Sequence, residues 1–156
     1  MARCPEKFKL KLKWLKAECH RHLDLPVSAD DLYRECADAS LSLGPIQNAD
    51  ADRIRILLEA ATVAKVRGQT EPQIRRAISY LEAIRHTDFA PVRVLGTLTE
   101  MYAIIGERTS YEKYRQLAHD FVESHTTIND LHLDALEEAL ERARGHFERR
   151  YGVASR

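Results

Sequence analysis

Hydrophobic residues recur at helical steps along almost the whole chain. Phe8, Leu12, Leu15, Cys19 and His22 follow alternating steps of four and three, which predicts a helix over residues 6–23. Lysines also alternate with Phe8, Leu10, Leu12 and Trp14 in the manner of a strand, but that pattern is shorter, and the helical one continues through Ala17. Pro26 blocks further continuation. Ser28, followed by Asp31, predicts the N-cap of a second helix carrying Leu32, Cys36, Ala39 and Leu43, which Gly44-Pro45 stops.

A third helix opens at Asn48 or Asp50 and runs to Gly68. Its stripe of Ile54, Leu57, Leu58, Ala61 and Ala64 is joined by Ile56, Ala60 and Val63, so it is apolar nearly all round and is expected to be central. Thr70 caps a fourth helix with Pro72 in its first turn and a core stripe of Ile74, Ala77, Ile78, Leu81 and Ile84. A fifth, from Pro91 to Gly106, carries Val94, Leu95, Leu98, Met101, Tyr102 and Ile105. Ser110 is expected to cap a sixth, bearing Tyr114, Leu117, Ala118, Phe121 and Val122. The last opens at Asn129 or Asp130 and runs to Tyr151, with Leu133, Leu136, Leu140, Ala143 and Phe147 at heptad spacing.

These elements predict an all-α fold, a compact bundle of about six to seven helices forming one domain over residues 1–156. Within it, the basic first helix and the second helix (residues 1–45) pack on a helical core over 48–152. No connection is long or polar enough to divide the chain, and the unequal glycine spacings exclude a repeat array.

Composition narrows the class without naming a partner. The chain has 156 residues, enough to bury a core without disulfides or metals. Lysine plus arginine and aspartate plus glutamate number 24 each, so the formal net charge is zero. The charges are unevenly spread: Lys7, Lys9, Lys11, Lys13 and Lys16 face a single Glu6 near the start, and acids gather over 130–141. Cys4, Cys19 and Cys36 without a secretory signal pattern indicate a reducing, cytoplasmic setting. No run approaches the ~20 apolar residues that span a bilayer.

Candidate chemistry is sparse. Cys19, His22 and Cys36 offer part of a zinc site, but their spacing matches no standard finger and no fourth ligand is in view. Both cysteines sit on apolar stripes, where the side chain acts as a small hydrophobe, so no metal or cofactor is expected. There is no nucleophile elbow and no glycine-rich phosphate loop. His119 and Asp120 adjoin in sequence and so point apart on a helix, and the pairs Asp30-Asp31 and Glu137-Glu138 suit a helix start and a solvated face. The chain is therefore not expected to be an enzyme or to take a small-molecule substrate.

Basic surface is the more informative feature. With Phe8, Leu12 and Leu15 turned inward, lysines including Lys9 and Lys13 cover the rest of the first helix, with Leu10 and Trp14 among them. Such a face suits a phosphate backbone, an anionic membrane surface or an acidic protein, or it is a solvated helix whose Trp14 packs on a neighbour. Arg75, Arg76 and Arg85 lie off the stripe of the Thr70 helix, with Arg67 before it; Arg108, Lys113 and Arg115 follow Gly106. On the last helix Arg142, Arg144, Arg149 and Arg150 interleave with glutamates, and such pairs four apart contribute a few tenths of a kcal/mol each.

The string Thr70-Glu71-Pro72-Gln73-Ile74-Arg75 resembles the T-x-x-Q/K-I/L-R helix start of the small helical subunit of type III-A CRISPR effector complexes, the Csm complexes. The segment from Leu98 through Tyr102 to Gly106 and Arg108 is similar to the apolar, tyrosine-bearing helix of that family. The segment from Leu136 through Phe147 to Tyr151-Gly152 is similar to its closing helix. The resemblance covers residues 53–152 and extends to analogous small subunits of other class 1 effectors. The chain departs from the pattern in a longer stretch before Arg53 and in Arg142, Arg144 and His146, which stand where the family has small apolar and aromatic residues.

The resemblance implies a non-catalytic subunit that lines guide and target RNA, contacts neighbouring effector subunits, and leaves sequence recognition to base pairing. It assigns the RNA contacts to Arg75 and Arg76 by motif position, with Arg67, Lys65 and Arg108 as neighbours; Lys9 and Lys13 join them from the basic first helix. The alternative is a helical adaptor or regulator that self-associates through the C-terminal heptads. Those heptads span only about two and a half repeats, which suits packing on the protein's own core better than a coiled coil.

Overall fold

A computed structural model describes residues 13–16, 18–19, 26–67, 70–88, 90–124 and 130–152; for residues 26–30, 66–67 and 130–132 it describes the backbone alone. The described residues form helices and no strands: α1 (Pro26–Ser42), α2 (Ala51–Arg67), α3 (Glu71–Ile84), α4 (Pro91–Ile105), α5 (Arg108–Ser124) and α6 (Asp130–Tyr151). Residues 13–16 and 18–19 are also helical. The helices fall into two compact units, residues 1–89 and 90–156. None is long and apolar enough to cross a membrane.

Two helix starts differ from expectation. α1 begins at Pro26 itself, which puts Ser28 inside the first turn and not at the cap. The fixed φ of proline suits a first turn, and its missing N–H is one of those a helix start leaves unpaired anyway. Likewise α5 begins at Arg108, and the Glu107 carbonyl accepts the Tyr111 amide at 2.9 Å, so Ser110 lies within the first turn. Thr70 does precede α3 in extended backbone (φ −114°, ψ 149°), and its amide and hydroxyl both donate to Gln73 Oε1, at 3.3 and 3.0 Å.

In the first unit α2 is the middle helix, packed by α1 on one side and α3 on the other. Ile54, Leu57, Leu58 and Ala61 are buried along it, together with Ile56 and Ala60, so it is apolar nearly all round because it has two neighbours. The buried face of α1 is Tyr33, Cys36, Ala37 and Ser40, a rotation from the predicted stripe that leaves Leu43 42% exposed. The predicted stripe of α3 is buried in full, with Tyr80 added.

The helical residues before α1 reverse one expectation. Leu15 was to face inward, yet it is 45% exposed, and Trp14 packs against the cluster of Cys36, Ala39 and Ile56 instead. The indole has more apolar surface to withdraw from water than the leucine, which decides the rotation. Its Nε1 is buried and meets no acceptor among the described residues. The Tyr33 hydroxyl donates to Glu18 from α1. Phe8, Leu10, Leu12 and His22 lie outside the described residues.

Arg53 closes the α1–α2 connection. Only 9% exposed, it donates from Nε to Ser40 Oγ (3.3 Å), from Nη1 to the Pro45 carbonyl (3.3 Å), and from Nη2 to the Ser40 and Gly44 carbonyls. Asp50 Oδ2 lies 3.5 Å from Nη1 and balances its charge. A planar guanidinium is suited to this task, since its fork of donors meets several carbonyls at a helix C-terminus at once. The same connection is tied to the end of α3: Asn48 and Asp88 exchange two hydrogen bonds (3.2 and 2.9 Å), and the Ile46 carbonyl meets His86 Nε2 at 2.7 Å.

In the second unit α4 is the shared partner of α5 and α6. Gly96 permits the closest approach: a Cβ there would stand 3.1 Å from Leu136 Cδ1 and 3.3 Å from Ala139 Cβ. The C-terminal heptad stripe divides. Leu136, Ala143 and Phe147 are buried, whereas Leu133 and Leu140 remain half-buried beside α5.

Candidate nucleic-acid interface

Each predicted contact residue has its own setting. In the first unit Arg75 and Arg76 are both exposed near the start of α3. Arg75 is committed locally, with Nη2 and Nε 2.7 and 3.0 Å from Glu71 Oε1 one turn earlier. Arg76 instead lies within electrostatic reach of the Tyr80 hydroxyl, as does Arg34 on α1. Tyr80 donates to Asp38 Oδ1 at 2.8 Å, so both arginines lie within electrostatic reach of a part-buried bond that joins α1 to α3. Burial first, then the bond to Asp38, hold the Tyr80 phenol far above its ordinary range, so it stays a neutral donor. Arg34 was not among the predicted residues; its own Nη2 lies 3.4 Å from Asp31.

Lys65 is half-buried on α2 and Lys13 is exposed. Arg67 ends α2, with its side chain outside the described residues, and Lys9 lies outside them altogether.

Arg108 belongs to the second unit, at the start of α5. Its Nε is 3.4 Å from Glu112 Oε1, and its guanidinium lies 5.6 Å from the Phe147 ring centre. Phe147 stacks on Tyr111 at 4.6 Å and meets Tyr151 at 4.7 Å, while Tyr102 stacks on Tyr114 at 5.4 Å. Lys113 and Arg115 lie over Tyr114 and Tyr111, at 5.4 and 5.9 Å. Each such cation–ring contact is worth about 0.5–1 kcal/mol at an exposed site and holds the cation near the surface. The turn after α4 completes the cluster: Gly106 adopts φ 75°, Arg150 Nη1 donates to the Ile104 carbonyl at 3.1 Å, and the Tyr151 hydroxyl donates to the Gly106 carbonyl.

The predicted residues thus divide between an α1–α3 edge and an aromatic-backed end of the second unit. Sequence spacing identified Arg76 as off the core stripe, but that Arg34 and Arg76 both act on Tyr80 depends on how α1 and α3 pack on α2. Along α6, Arg142 reaches the buried Glu100, and the half-buried His146 lies beside them with Nδ1 2.9 Å from Arg149 Nη2. Burial, then Arg149, lower the His146 pKa. As for metal, Cys19 is exposed and Cys36 buried, and among the described residues no three candidate ligands converge. No protein-family model, curated protein or solved structure matches this chain.

Proposed function

We propose that this protein is a non-catalytic RNA-binding subunit that grips a sugar–phosphate backbone. In this reading it serves as the small helical subunit of a CRISPR effector ribonucleoprotein, contacting guide and target RNA and neighbouring subunits. The observation that carries the proposal is the exposed pair Arg34 and Arg76, on two helices joined by the Tyr80–Asp38 bond. Two guanidiniums held by separate rigid elements can meet successive phosphates without ordering a loop, and guanidinium matches phosphate geometry in two parallel bonds. Arg75 and Arg108 each pair with an exposed glutamate of their own helix. Such pairs are worth about 0–1 kcal/mol, so a phosphate displaces the glutamate at small cost. A formal net charge of zero does not oppose this role, because binding follows the local potential.

The test is a salt titration of binding to single-stranded RNA and to an RNA duplex, comparing the parent chain with Arg34→Ala/Arg76→Ala. Each lost phosphate contact lowers the slope of log affinity against log salt by about 0.7–0.9. A decrease of roughly 1.5 in the double variant supports the α1–α3 edge. An unchanged slope removes both residues from the footprint, and no binding at low salt sinks the RNA reading.

A further inference from the structure

The pair of Glu100 and Arg142 has a third member. His146 lies one turn after Arg142 on α6 and is half-buried. Among the described residues the charged groups that act on it are Arg149 and Arg142 of its own helix and Glu100 of α4. Glu138 and Glu141 line the same open groove along α6. Arg149 Nη2 stands 2.9 Å from His146 Nδ1. A guanidinium carries only donors and stays charged, so this bond runs in one direction. Nδ1 therefore offers its lone pair, and the proton of the neutral imidazole sits on Nε2.

That bond exists only while the imidazole is neutral. A proton on Nδ1 removes the acceptor and leaves three cations, Arg142, His146 and Arg149, along one side of α6. Glu100 is 5% exposed and already met by Arg142 through both carboxylate oxygens. Its charge attracts the protonated ring, which sets His146 in competition with Arg142 for one carboxylate. Burial first, then Arg149, lower the His146 pKa from its ordinary 6.5, and Glu100 opposes them.

We propose that His146 is a proton-sensitive latch on the α4–α6 contact. Neutral, it holds Arg149 and leaves Glu100 to Arg142; protonated, it releases Arg149 and draws on Glu100 at the expense of Arg142. The unfolded chain takes up this proton at the ordinary 6.5, and the folded chain resists it to lower pH. The contribution to stability is thus complete above pH 6.5 and is lost as pH falls toward the folded value. The latch uses neither Arg34 nor Arg76 and is independent of the RNA-binding proposal.

The experiment is an NMR titration of the imidazole nitrogens in the full-length chain, with His146→Asn assigning the signal among the seven histidines. Asparagine offers Arg149 a carbonyl acceptor but takes up no proton. Expected are a bare Nδ1 above the midpoint, a midpoint below 6.5, and a higher midpoint in Arg149→Ala. The coupling between Glu100 and Arg142 is then measured by urea denaturation of Glu100→Gln, Arg142→Met and the double variant, on either side of that midpoint. It should shrink on the acid side in the parent and stay constant in the His146→Asn background. A proton on Nδ1 of the neutral ring, a midpoint at or above 6.5, or one indifferent to Arg149→Ala would overturn the latch. So would a coupling that stays constant in the parent, or one that shrinks equally in both backgrounds, which would assign the change to another group.

Discussion

Glu100, 5% exposed on α4, is met by Arg142 of α6 through Nε to Oε1 at 3.1 Å and Nη2 to Oε2 at 3.4 Å. Arg142 is itself 48% exposed, so a half-solvated guanidinium balances a buried carboxylate. This explains an arginine in the middle of a helix whose neighbours Ala139 and Ala143 are buried.

Arg142→Met should therefore destabilise the second unit. Removing one partner of a buried pair costs about 3–5 kcal/mol, and the exposure of Arg142 lowers the expectation to about 1–3 kcal/mol. In urea denaturation, Glu100→Gln/Arg142→Met should lose less than the sum of the two single changes. Simple additivity in that cycle would mean that the pair does not couple.

Arg53→Met should cost the first unit about 2–4 kcal/mol, because the Ser40, Pro45 and Gly44 carbonyls lose their shared donor. Arg53→Lys should recover less than half of this loss, since an ammonium cannot span the same acceptors. Chemical denaturation of the three proteins decides it; a lysine variant equal to the parent would show that charge alone suffices.

Gly106→Ala combines two penalties. The residue lies at φ 75°, and a Cβ there would stand 2.3 Å from Arg150 Nε. Arg150 can swing away, but the left-handed backbone costs an alanine about 1–2 kcal/mol. Thermal unfolding should show a drop of several degrees, which Arg150→Ala in the same chain relieves only in part. Complete relief would assign the whole cost to the clash.

The Cys36 thiol gives the first unit a pH dependence. Burial, only partly offset by Lys13, lifts its pKa from the ordinary 9.0 to about 11. The folded state thus holds this proton more tightly than the unfolded chain, so stability is fully present below pH 9 and is lost as pH rises from 9 to about 11. The loss amounts to about 2–3 kcal/mol. Denaturation midpoints at pH 8, 9.5 and 11 should fall more for the parent than for Cys36→Ala. Thiol labelling at pH 8 in a Cys4→Ser background should modify the exposed Cys19 quickly and Cys36 only on unfolding.

Much of the helical layout was legible in the chain itself. Period and punctuation are local: Thr70 with Pro72 opens α3, Pro91 opens α4, Gly106 ends it, and the predicted α3 stripe is the buried one. The same local signals misjudged α1 and α5 by a few residues, because Ser28 and Ser110 are competent caps that stand within the first turn of a longer helix. The all-α class follows from these local patterns, since a helix satisfies its own backbone and needs no distant partner to be recognised.

What only the tertiary structure decided is which side chain answers which. Arg53, Arg76, Arg142 and Arg150 are all arginines on helices, yet one caps carbonyls, one is exposed within electrostatic reach of Tyr80, one balances Glu100 and one seats on the Gly106 turn. Helical spacing assigns a residue to a face but does not say what lies across from it, and rotation by a single residue exchanged Leu15 for Trp14 at the Cys36 contact. The candidate contacts depend on such facing partners, which are distant in sequence and brought together only by packing on α2 and α4.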